Sequence, residues 1–277
     1  MSGDYQVYME INPGRTVNEV NYANNIGVLS TYVRVDDANP LLDVTFDGYH
    51  IKDGDLVASK PLITAQLNDE NENLRLDDTS SFELYLEYPS DFDPQPVYFT
   101  DPRIHFIPSP ASGKNVATVE FRPELLEDGI YTLQVNARDA SGNAAGDNDY
   151  IVSFEVINDA SVSNIYNYPN PFSSSTRFIY TLTGSGTPAF YKIEILSVTG
   201  ILVREITQDE MGPMSVGGHM TEYAWDGKDD NGNELAAGMY LYRLVVKDEQ
   251  MKDYPHYSPY GDGDYNSKGW GKLVIVR

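Results

Sequence analysis

Short stretches in which apolar and polar residues alternate recur along this chain, and they predict β-strands. In the clearest stretch, residues 82–88, apolar side chains occupy every second position and glutamates lie between them. No comparable stretch shows the three-to-four-residue apolar spacing of an amphipathic helix. Short alternating strands separated by turn residues are typical of antiparallel sandwiches, so the pattern predicts an all-β chain.

The predicted strands fall into two groups along the chain. The first group covers residues 41–46, 62–67, 82–88, 116–121 and 131–135. The second group covers residues 177–182, 191–196, 202–206, 221–225, 239–246 and 272–276. We therefore expect two immunoglobulin-like antiparallel β-sandwiches in tandem, one over residues 38–158 and one over residues 159–277.

Residues 1–37 form a third region with two further predicted strands, 7–11 and 26–35. Two strands cannot enclose a hydrophobic core by themselves. They are either extra strands docked on the next sandwich or the end of a preceding β domain. We favour the second interpretation, an N-terminal strand remnant.

Charge is distributed unevenly between the two halves of the chain. The net charge is 19 − 42 = −23, of which residues 1–159 carry 9 − 28 = −19 and residues 160–277 carry 10 − 14 = −4. Nucleic acids and anionic membrane surfaces require basic patches, so we expect neither as a partner. The step in charge also supports separately built units.

Several classes of chemistry are disfavoured by composition. The chain has no cysteine, which removes disulfides and thiol nucleophiles, and its four histidines show no metal-ligand spacing. The serine-hydrolase pattern Gly-x-Ser-x-Gly is absent as well. No segment approaches the ~20 apolar residues that span a bilayer, and the N-terminus has no signal-peptide pattern. We expect a non-catalytic piece of a longer exported protein whose export signal lies outside this chain.

Calcium is the metal that the acidic loops favour, because hard cations take carboxylate and carbonyl oxygens from flexible loops. The alternative is ordinary turn chemistry, in which Asp and Asn cap their own backbone. The first candidate group is Asp36, Asp37, Asp69, Glu70, Asn71, Asp139 and Asn143. The second candidate group is Asp226, Asp229, Asp230 and Asn231.

A long loop rich in tyrosine, glycine and proline, residues 250–271, precedes the last predicted strand. Loops of this length in compact domains are usually functional or mobile. Exposed aromatic rings stack on sugars, so the loop is a candidate glycan site. The alternative is a loop folded over its own sandwich. The candidate ligand-binding residues are Tyr254, Tyr257, Tyr260 and Trp270.

Three ordered sequence blocks carry a resemblance to known families. The first block is Asn-Tyr-Pro-Asn-Pro-Phe at 167–172 with the strand at 176–182, and the second is the strand pair at 193–200 and 203–206. The third runs from Trp-Asp-Gly-Lys-Asp-Asp-Asn-Gly through Gly-Met-Tyr-Leu-Tyr-Arg-Leu, residues 225–244, and the resemblance covers about residues 162–277. Together they resemble the immunoglobulin-like module of the flagellar-hook-capping type and the C-terminal sorting domain of the type IX secretion system of Bacteroidetes. The residues that match the motif are Pro169, Asn170, Pro171, Trp225, Asp226, Gly227, Gly238 and Tyr240.

Other segments extend the resemblance beyond the last domain. Residues 40–48, 67–71 and 211–218 resemble the C-terminal region of large gingipain-family surface peptidases related to the type IX sortase. Residues 18–25 are similar to the closing strand of a CARDB-type adhesion domain, which fits residues 1–37 as the end of such a domain. The long insertion before the last strand departs from the compact sorting-domain pattern.

The resemblance implies a function in export. Type IX components at the outer membrane would recognise the last domain for export or anchoring, and pairing with an edge strand is one way to do so. The middle domain would be a spacer or adhesion module, and a cysteine peptidase domain would lie upstream in the parent protein. The implied location is secreted or on the cell surface. The alternative is a glycan- or host-surface-binding adhesin module stabilised by calcium.

Overall fold

The computed structural model describes residues 2–33, 35–163, 165–257 and 270–277. Strands dominate these residues, and the helical structure in them consists of single turns. The chain divides into two compact units, Met1–Asn39 and Pro40–Arg277. The prediction of an all-β chain with two immunoglobulin-like sandwiches is confirmed, and both sandwiches lie in the second unit.

The first unit is an antiparallel ribbon of two strands. The strands are β1, Gly3–Glu10, and β2, Ile26–Val33. Nearly every residue of both strands is exposed, including Tyr8 at 71% and Leu29 at 66%. The ribbon therefore has no buried core of its own, as the sequence led us to expect.

The first sandwich is built from nine strands in two facing sheets. The strands are β3 Leu41–Phe46, β4 Asp55–Val57, β5 Ile63–Asp69, β6 Phe82–Glu87, β7 Gln95–Val97, β8 Ile104–Ile107, β9 Asn115–Phe121, β10 Gly129–Ala137 and β11 Tyr150–Val156. One sheet has the order β3-β5-β9-β8 and the other β4-β11-β10-β6-β7. All pairings are antiparallel except β4 with β11.

The second sandwich has a three-stranded and a four-stranded sheet. Its elements are β12 Tyr166–Tyr168, β13 Arg177–Leu182, β14 Phe190–Ser197, β15 Leu202–Ile206, the single-turn helix α1 Gln208–Met211, β16 Gly217–Met220, β17 Gly238–Lys247 and β18 Trp270–Ile275. The strand orders are β12-β13-β16 and β15-β14-β17-β18. The last strand of the chain is thus at an edge of the larger sheet.

Each sandwich has its own hydrophobic core, and the period-two alternation of the strands fills it. In β6, Phe82, Leu84 and Leu86 are all at most 3% exposed, as their alternation predicted. In β17 the inward residues are Tyr242 and Leu244, each 2% exposed. The described residues therefore bury the faces that the sequence pattern indicated.

One predicted strand is wrong. Residues 221–225 lack the alternation in burial of a strand, since Thr221 and Trp225 are fully buried and Tyr223 between them is not. Their backbone also bends, because the Thr221 hydroxyl accepts the amide of Phe178 at 3.1 Å and donates to the Tyr223 carbonyl at 3.0 Å. The strand that pairs with β13 is β16, just before this stretch.

The two sandwiches contact each other through the turn after β3 and the Gly-Gly pair of β16. The Asp47 carboxylate accepts the backbone amides of Leu62 and Gly218, each at 2.9 Å. A Cβ atom at Gly218 would lie only 3.3 Å from Cβ of Asp47 and 3.4 Å from Cδ2 of Tyr49. Glycine at this position is therefore what allows the sandwiches to approach so closely.

The start of the long loop crosses the linker between the sandwiches. The Val162 amide donates to the Pro255 carbonyl at 2.9 Å, and the Tyr257 amide donates to the Val162 carbonyl at 2.8 Å. The Tyr257 hydroxyl donates to the carboxylate of Glu155 in the first sandwich. Burial and this hydrogen bond raise the pKa of Tyr257. Residues 255–257 therefore fasten the second sandwich to the first.

Candidate functional site

The proline-rich motif runs along the outer edge of β18. The Phe172 amide donates to the Val274 carbonyl at 3.0 Å, and the Val276 amide donates to the Phe172 carbonyl at 2.9 Å. Phe172 and Ile275 form a parallel bridge. Both Pro169 and Pro171 follow cis peptide bonds. We call the segment 169–172 together with the edge of β18 that it covers the C-terminal clamp.

The Asn170 side chain completes the pairing of the strand. Its Oδ1 accepts the Val274 amide at 3.0 Å, and its Nδ2 donates to the Lys272 carbonyl at 2.9 Å. One side-chain amide thus replaces the donor and acceptor of a neighbouring strand. The unpaired N–H and C=O groups of an edge strand can pair with another chain. The hydrogen bonds of Asn170 occupy two of these groups in β18 and so oppose such pairing.

Trp225 lies beneath the clamp and joins the third motif block to it. The indole is 0% exposed, its Nε1 donates to the Lys228 carbonyl at 2.9 Å, and its ring lies 5.6 Å from that of Phe172. Its backbone pairs with Thr176 in both directions at 2.9 Å. The prediction that Trp225 fills the core is confirmed.

Gly227 meets the end of the chain. Its φ is +76°, and a Cβ atom there would lie 3.2 Å from Nη2 of Arg277 and 3.4 Å from Cδ1 of Ile275. Arg277 donates through Nη2 to the Gly227 carbonyl at 3.2 Å and through Nη1 to Glu234 at 2.9 Å. A side chain at Gly227 would therefore displace the last residues of the chain.

The remaining motif residues shape the loop that leads into β17. The Asp226 carboxylate forms an ion pair with Lys228 at 2.6 Å, and the hydrogen bond from Lys228 lowers the pKa of Asp226. Gly238 is the first residue of β17, and the Tyr240 hydroxyl donates to the Ala236 carbonyl at 3.0 Å. Six of the eight motif residues thus belong to the clamp or to the loop beneath it, and the other two, Gly238 and Tyr240, lie at the start of β17. The sequence did not indicate the hydrogen bonds of Arg277 with Gly227 and Glu234, or the pairing of the Asn170 side chain with β18.

The structure brings part of the first calcium group together. Asp69 and Asp139 are 2% and 6% exposed, and one carboxylate oxygen of each lies within 4.8 Å of the other. Asp139 also accepts the amide and Nδ2 of Asn143 at 2.8 and 2.7 Å, and Asp69 accepts the amide of Asn71 at 3.2 Å. Each carboxylate therefore caps its own turn, and the two carboxylates also lie close to each other.

Three further members of that group are Glu70, Asp36 and Asp37. Glu70 is exposed. Asp36 and Asp37 belong to the first compact unit, where the Asp36 carboxylate accepts the Ala38 amide at 3.3 Å. For these three residues calcium binding stays a prediction.

The second calcium group is divided among separate partners. Asp226 pairs with Lys228, and Asp230 pairs with Arg204 at 2.9 Å. The Asp229 carboxylate accepts the amides of Asn231 and Asn233 at 2.9 and 2.8 Å, which is turn capping. Each carboxylate thus has its own partners, and the hydrogen bonds described do not bring the four residues together around one point.

The aromatic residues of the long loop do not form one exposed surface in the described part of the chain. Tyr254 is 8% exposed, and Tyr257 is half-buried against Glu155. The guanidinium of Arg243 lies over the Trp270 ring, 5.2 Å from its centroid. Tyr260 lies outside the described residues.

Comparison with known proteins gives one family match and several distant structural likenesses. Residues 172–250 match the FlgD Ig-like domain family. No curated protein matches the chain. Among the described residues no helix is long and apolar enough to cross a membrane.

The structural likenesses are all remote. Dimeric latent PorU from Porphyromonas gingivalis is 21% identical, with a TM-score of 0.34 over 91% of this chain and 22% of that one. The Bacteroides ovatus glucan-utilisation protein SGBP-B is 14% identical, with a TM-score of 0.31 over 99% of this chain and 54% of that one. The fibronectin(III)-like modules of Clostridium thermocellum CbhA are 9% identical, with a TM-score of 0.25 over 84% of this chain and 93% of theirs.

This chain spans about a fifth of the PorU chain and about half of the SGBP-B chain. What the comparisons show for the chain is therefore confined to its second sandwich: residues 172–250 carry an immunoglobulin-like domain that matches the FlgD Ig-like family.

Proposed function

We propose that this chain is a non-catalytic C-terminal part of a secreted cell-surface protein, and that type IX secretion components recognise residues 159–277 for export or anchoring. The observation that carries the proposal is the convergence of the motif blocks on the C-terminal clamp. Asn170, Trp225 and Gly227 come from two separate blocks: Asn170 bonds to β18, Gly227 accepts a hydrogen bond from Arg277, and Trp225 packs against Phe172 of the clamp. Residues 38–158 serve as a spacer or adhesion module.

The clamp restricts how such recognition works. Asn170 covers one edge of the four-stranded sheet. At the other edge, β15, Asp230 donates its amide to the Val203 carbonyl at 3.2 Å and accepts the Glu205 amide at 3.2 Å. Strand addition at either edge therefore requires these bonds to break. We propose that the machinery instead reads outward side chains of β18, of which Lys272 is exposed.

A reporter experiment tests this function. A reporter enzyme with a periplasmic export signal is fused ahead of residues 1–277 in a Bacteroidetes strain, with and without a working type IX system. We expect the reporter on the cell surface or in the medium only in the competent strain. A reporter that stays in the periplasm of the competent strain would contradict the proposed role in export.

A matched pair of charge reversals tests the proposed surface. Lys272→Glu should reduce surface reporter, because it changes an outward side chain of β18. Lys60→Glu changes an exposed lysine of the first sandwich, whose side chain is 67% exposed, and should leave export unchanged. Equal export of both variants would exclude Lys272 from the recognised surface.

We also propose one Ca²⁺ ion between Asp69 and Asp139. One carboxylate oxygen of each residue lies within 4.8 Å of the other, so both can bind one ion at Ca²⁺–oxygen distances of about 2.4 Å. For an extracellular-type Kd of about 10⁻⁴ to 10⁻³ M, ~10 mM Ca²⁺ should raise the free energy of unfolding by about 1.4 to 2.7 kcal/mol.

The chain offers a closely matched control for this metal site. The Asp229 carboxylate accepts the backbone amide and Nδ2 of Asn233, four residues later in the chain. The Asp139 carboxylate accepts the same two groups of Asn143. Asp139→Asn should abolish the Ca²⁺-dependent rise in melting temperature, whereas Asp229→Asn should preserve it. A wild-type melting temperature that is the same in Ca²⁺ and in EDTA would remove the proposal.

A further inference from the structure

An open cleft lies at the end of the first sandwich, between the edge strand β7 and the loop that follows it. Its volume is about 330 Å³, and its floor is formed by the buried side chains of Leu86 and Phe121. This volume is at the lower end of the range for small-molecule sites. The walls combine aromatic and polar side chains: Tyr88, Gln95, Tyr98, Thr100, Asp101 and Arg103.

The loop that carries these side chains is fixed by its own hydrogen bonds. The Asp101 amide donates to the Tyr98 carbonyl at 2.9 Å, and the Ile104 amide donates to the Asp101 carbonyl at 3.1 Å. Phe99 turns inward, and its ring packs edge-on against Phe106 at 6.2 Å. Tyr98, the preceding residue, turns outward and is 67% exposed. The loop thus presents one large amphipathic ring to solvent on an ordered backbone.

Asp101 and Arg103 form a rigid polar fork beside that ring. Arg103 donates to Asp101 through Nε at 3.0 Å and through Nη2 at 2.6 Å, and its backbone amide donates to the same carboxylate at 2.8 Å. These hydrogen bonds from Arg103 lower the pKa of Asp101. The fork offers charge-assisted donors and acceptors side by side while its net charge is zero.

The surrounding charge narrows the class of ligand. Residues 40–158, which contain the cleft, carry a net charge of 7 − 22 = −15, which disfavours an anion. Arg103 already neutralises the Asp101 carboxylate, so this carboxylate does not favour a cation as the ligand. A neutral ligand with one flat apolar face and an edge of hydroxyl groups fits both the exposed ring and the fork.

We propose that this cleft binds a neutral oligosaccharide, with a sugar ring stacked on Tyr98 and its hydroxyl groups bonded to Asp101 and Arg103. The site does not depend on the export role of the second sandwich. Either proposal can fail while the other stands.

Calorimetry on the full chain tests the site. The probes are the neutral cello-, laminari-, xylo-, manno- and chitohexaoses, with a galacturonic acid oligomer as the anionic probe. We expect at least one neutral probe to bind and the anionic probe to give no heat. The absence of heat with every neutral probe, or tightest binding of the anionic one, would overturn the proposal.

Three tyrosine variants assign the binding to the cleft. Tyr98→Ala removes the exposed ring and should weaken the neutral probe about tenfold, whereas Tyr98→Phe keeps the ring and should stay near wild type. Tyr8→Ala, at a 71% exposed tyrosine of the ribbon, is the matched control. Equal affinity of Tyr98→Ala and Tyr8→Ala would show that any sugar binds elsewhere.

Discussion

Replacing Asn170 tests whether a side chain truly substitutes for a strand at the end of this sheet. Asn170→Ala removes the bonds to the Val274 amide and the Lys272 carbonyl, at 3.0 and 2.9 Å. Each net hydrogen bond contributes about 0.5 to 1.5 kcal/mol, and these two are near the surface. We therefore expect the free energy of unfolding to fall by about 1.5 kcal/mol and the melting temperature by about 3 to 6 °C.

The local effect is sharper than the global one. Hydrogen exchange at the Val274 amide should become fast in Asn170→Ala, because its acceptor is gone. In Asn170→Asp the carboxylate can still accept this amide but cannot donate to Lys272. The Asp variant should therefore keep the Val274 amide slow while also losing stability. The amide of Tyr242, a buried residue of β17, is an internal reference for undisturbed structure.

Two results would refute this reasoning. One is a free energy of unfolding for Asn170→Ala within about 0.3 kcal/mol of wild type in urea titration. The other is an unchanged exchange rate at Val274 in the same variant. Either would mean that Asn170 does not hold β18 in solution.

The junction between the sandwiches supplies three further predictions. Gly218→Val should lower the free energy of unfolding by about 1 to 3 kcal/mol in urea titration, whereas Gly186→Val, where a Cβ meets nothing within 4 Å, should cost far less. Tyr257→Phe removes the bond to Glu155 and should lower it by about 1 kcal/mol, an effect absent if the sandwiches do not dock. Burial lowers the pKa of His256, so the unfolded chain binds a proton that the folded chain does not as pH falls below about 6.5. Stability should therefore fall between about pH 7 and pH 5, and His256→Gln should flatten that slope; an unchanged slope would contradict it.

Several strands begin and end at the residues that the sequence predicted. Strands β13 and β15 lie at the predicted bounds, and β3 does so as well. Strands β4 and β7 have three residues each, too few for a period-two pattern, and β7 contains Pro96, which weakens a strand prediction. Strand β16 begins Gly-Gly, whose low strand propensity is overridden because Gly218 must pass close to Asp47.

The clamp shows a different limit of sequence reasoning. The motif residues could be found, because they lie in contiguous blocks. Their shared purpose could not, since Asn170 and Val274 are 104 positions apart and nothing local in either segment indicates a side chain that pairs with a strand. Likewise, the sequence does not single out Tyr98 as an exposed aromatic residue, because its exposure depends on Phe99 turning inward.

The uneven charge acquires a structural meaning from the hydrogen bonds. In the second sandwich the basic side chains are matched to acids across neighbouring strands, as when Lys192 contacts Glu205 at 2.5 Å and Arg243 contacts Glu194 at 2.6 Å. In the first sandwich many acids instead accept backbone amides in turns, as Asp78 and Asp139 do.

A carboxylate that caps a turn needs no basic partner, so turns can accumulate negative charge without ion pairs. The surplus of −19 in residues 1–159 follows in part from this use of aspartate, and repulsion among these caps is what a cation between Asp69 and Asp139 would relieve. The same surplus repels anions from the cleft beside Tyr98. One property of the first sandwich, the capping of its loops by acids, thus sets the class of ligand expected at both of its proposed sites.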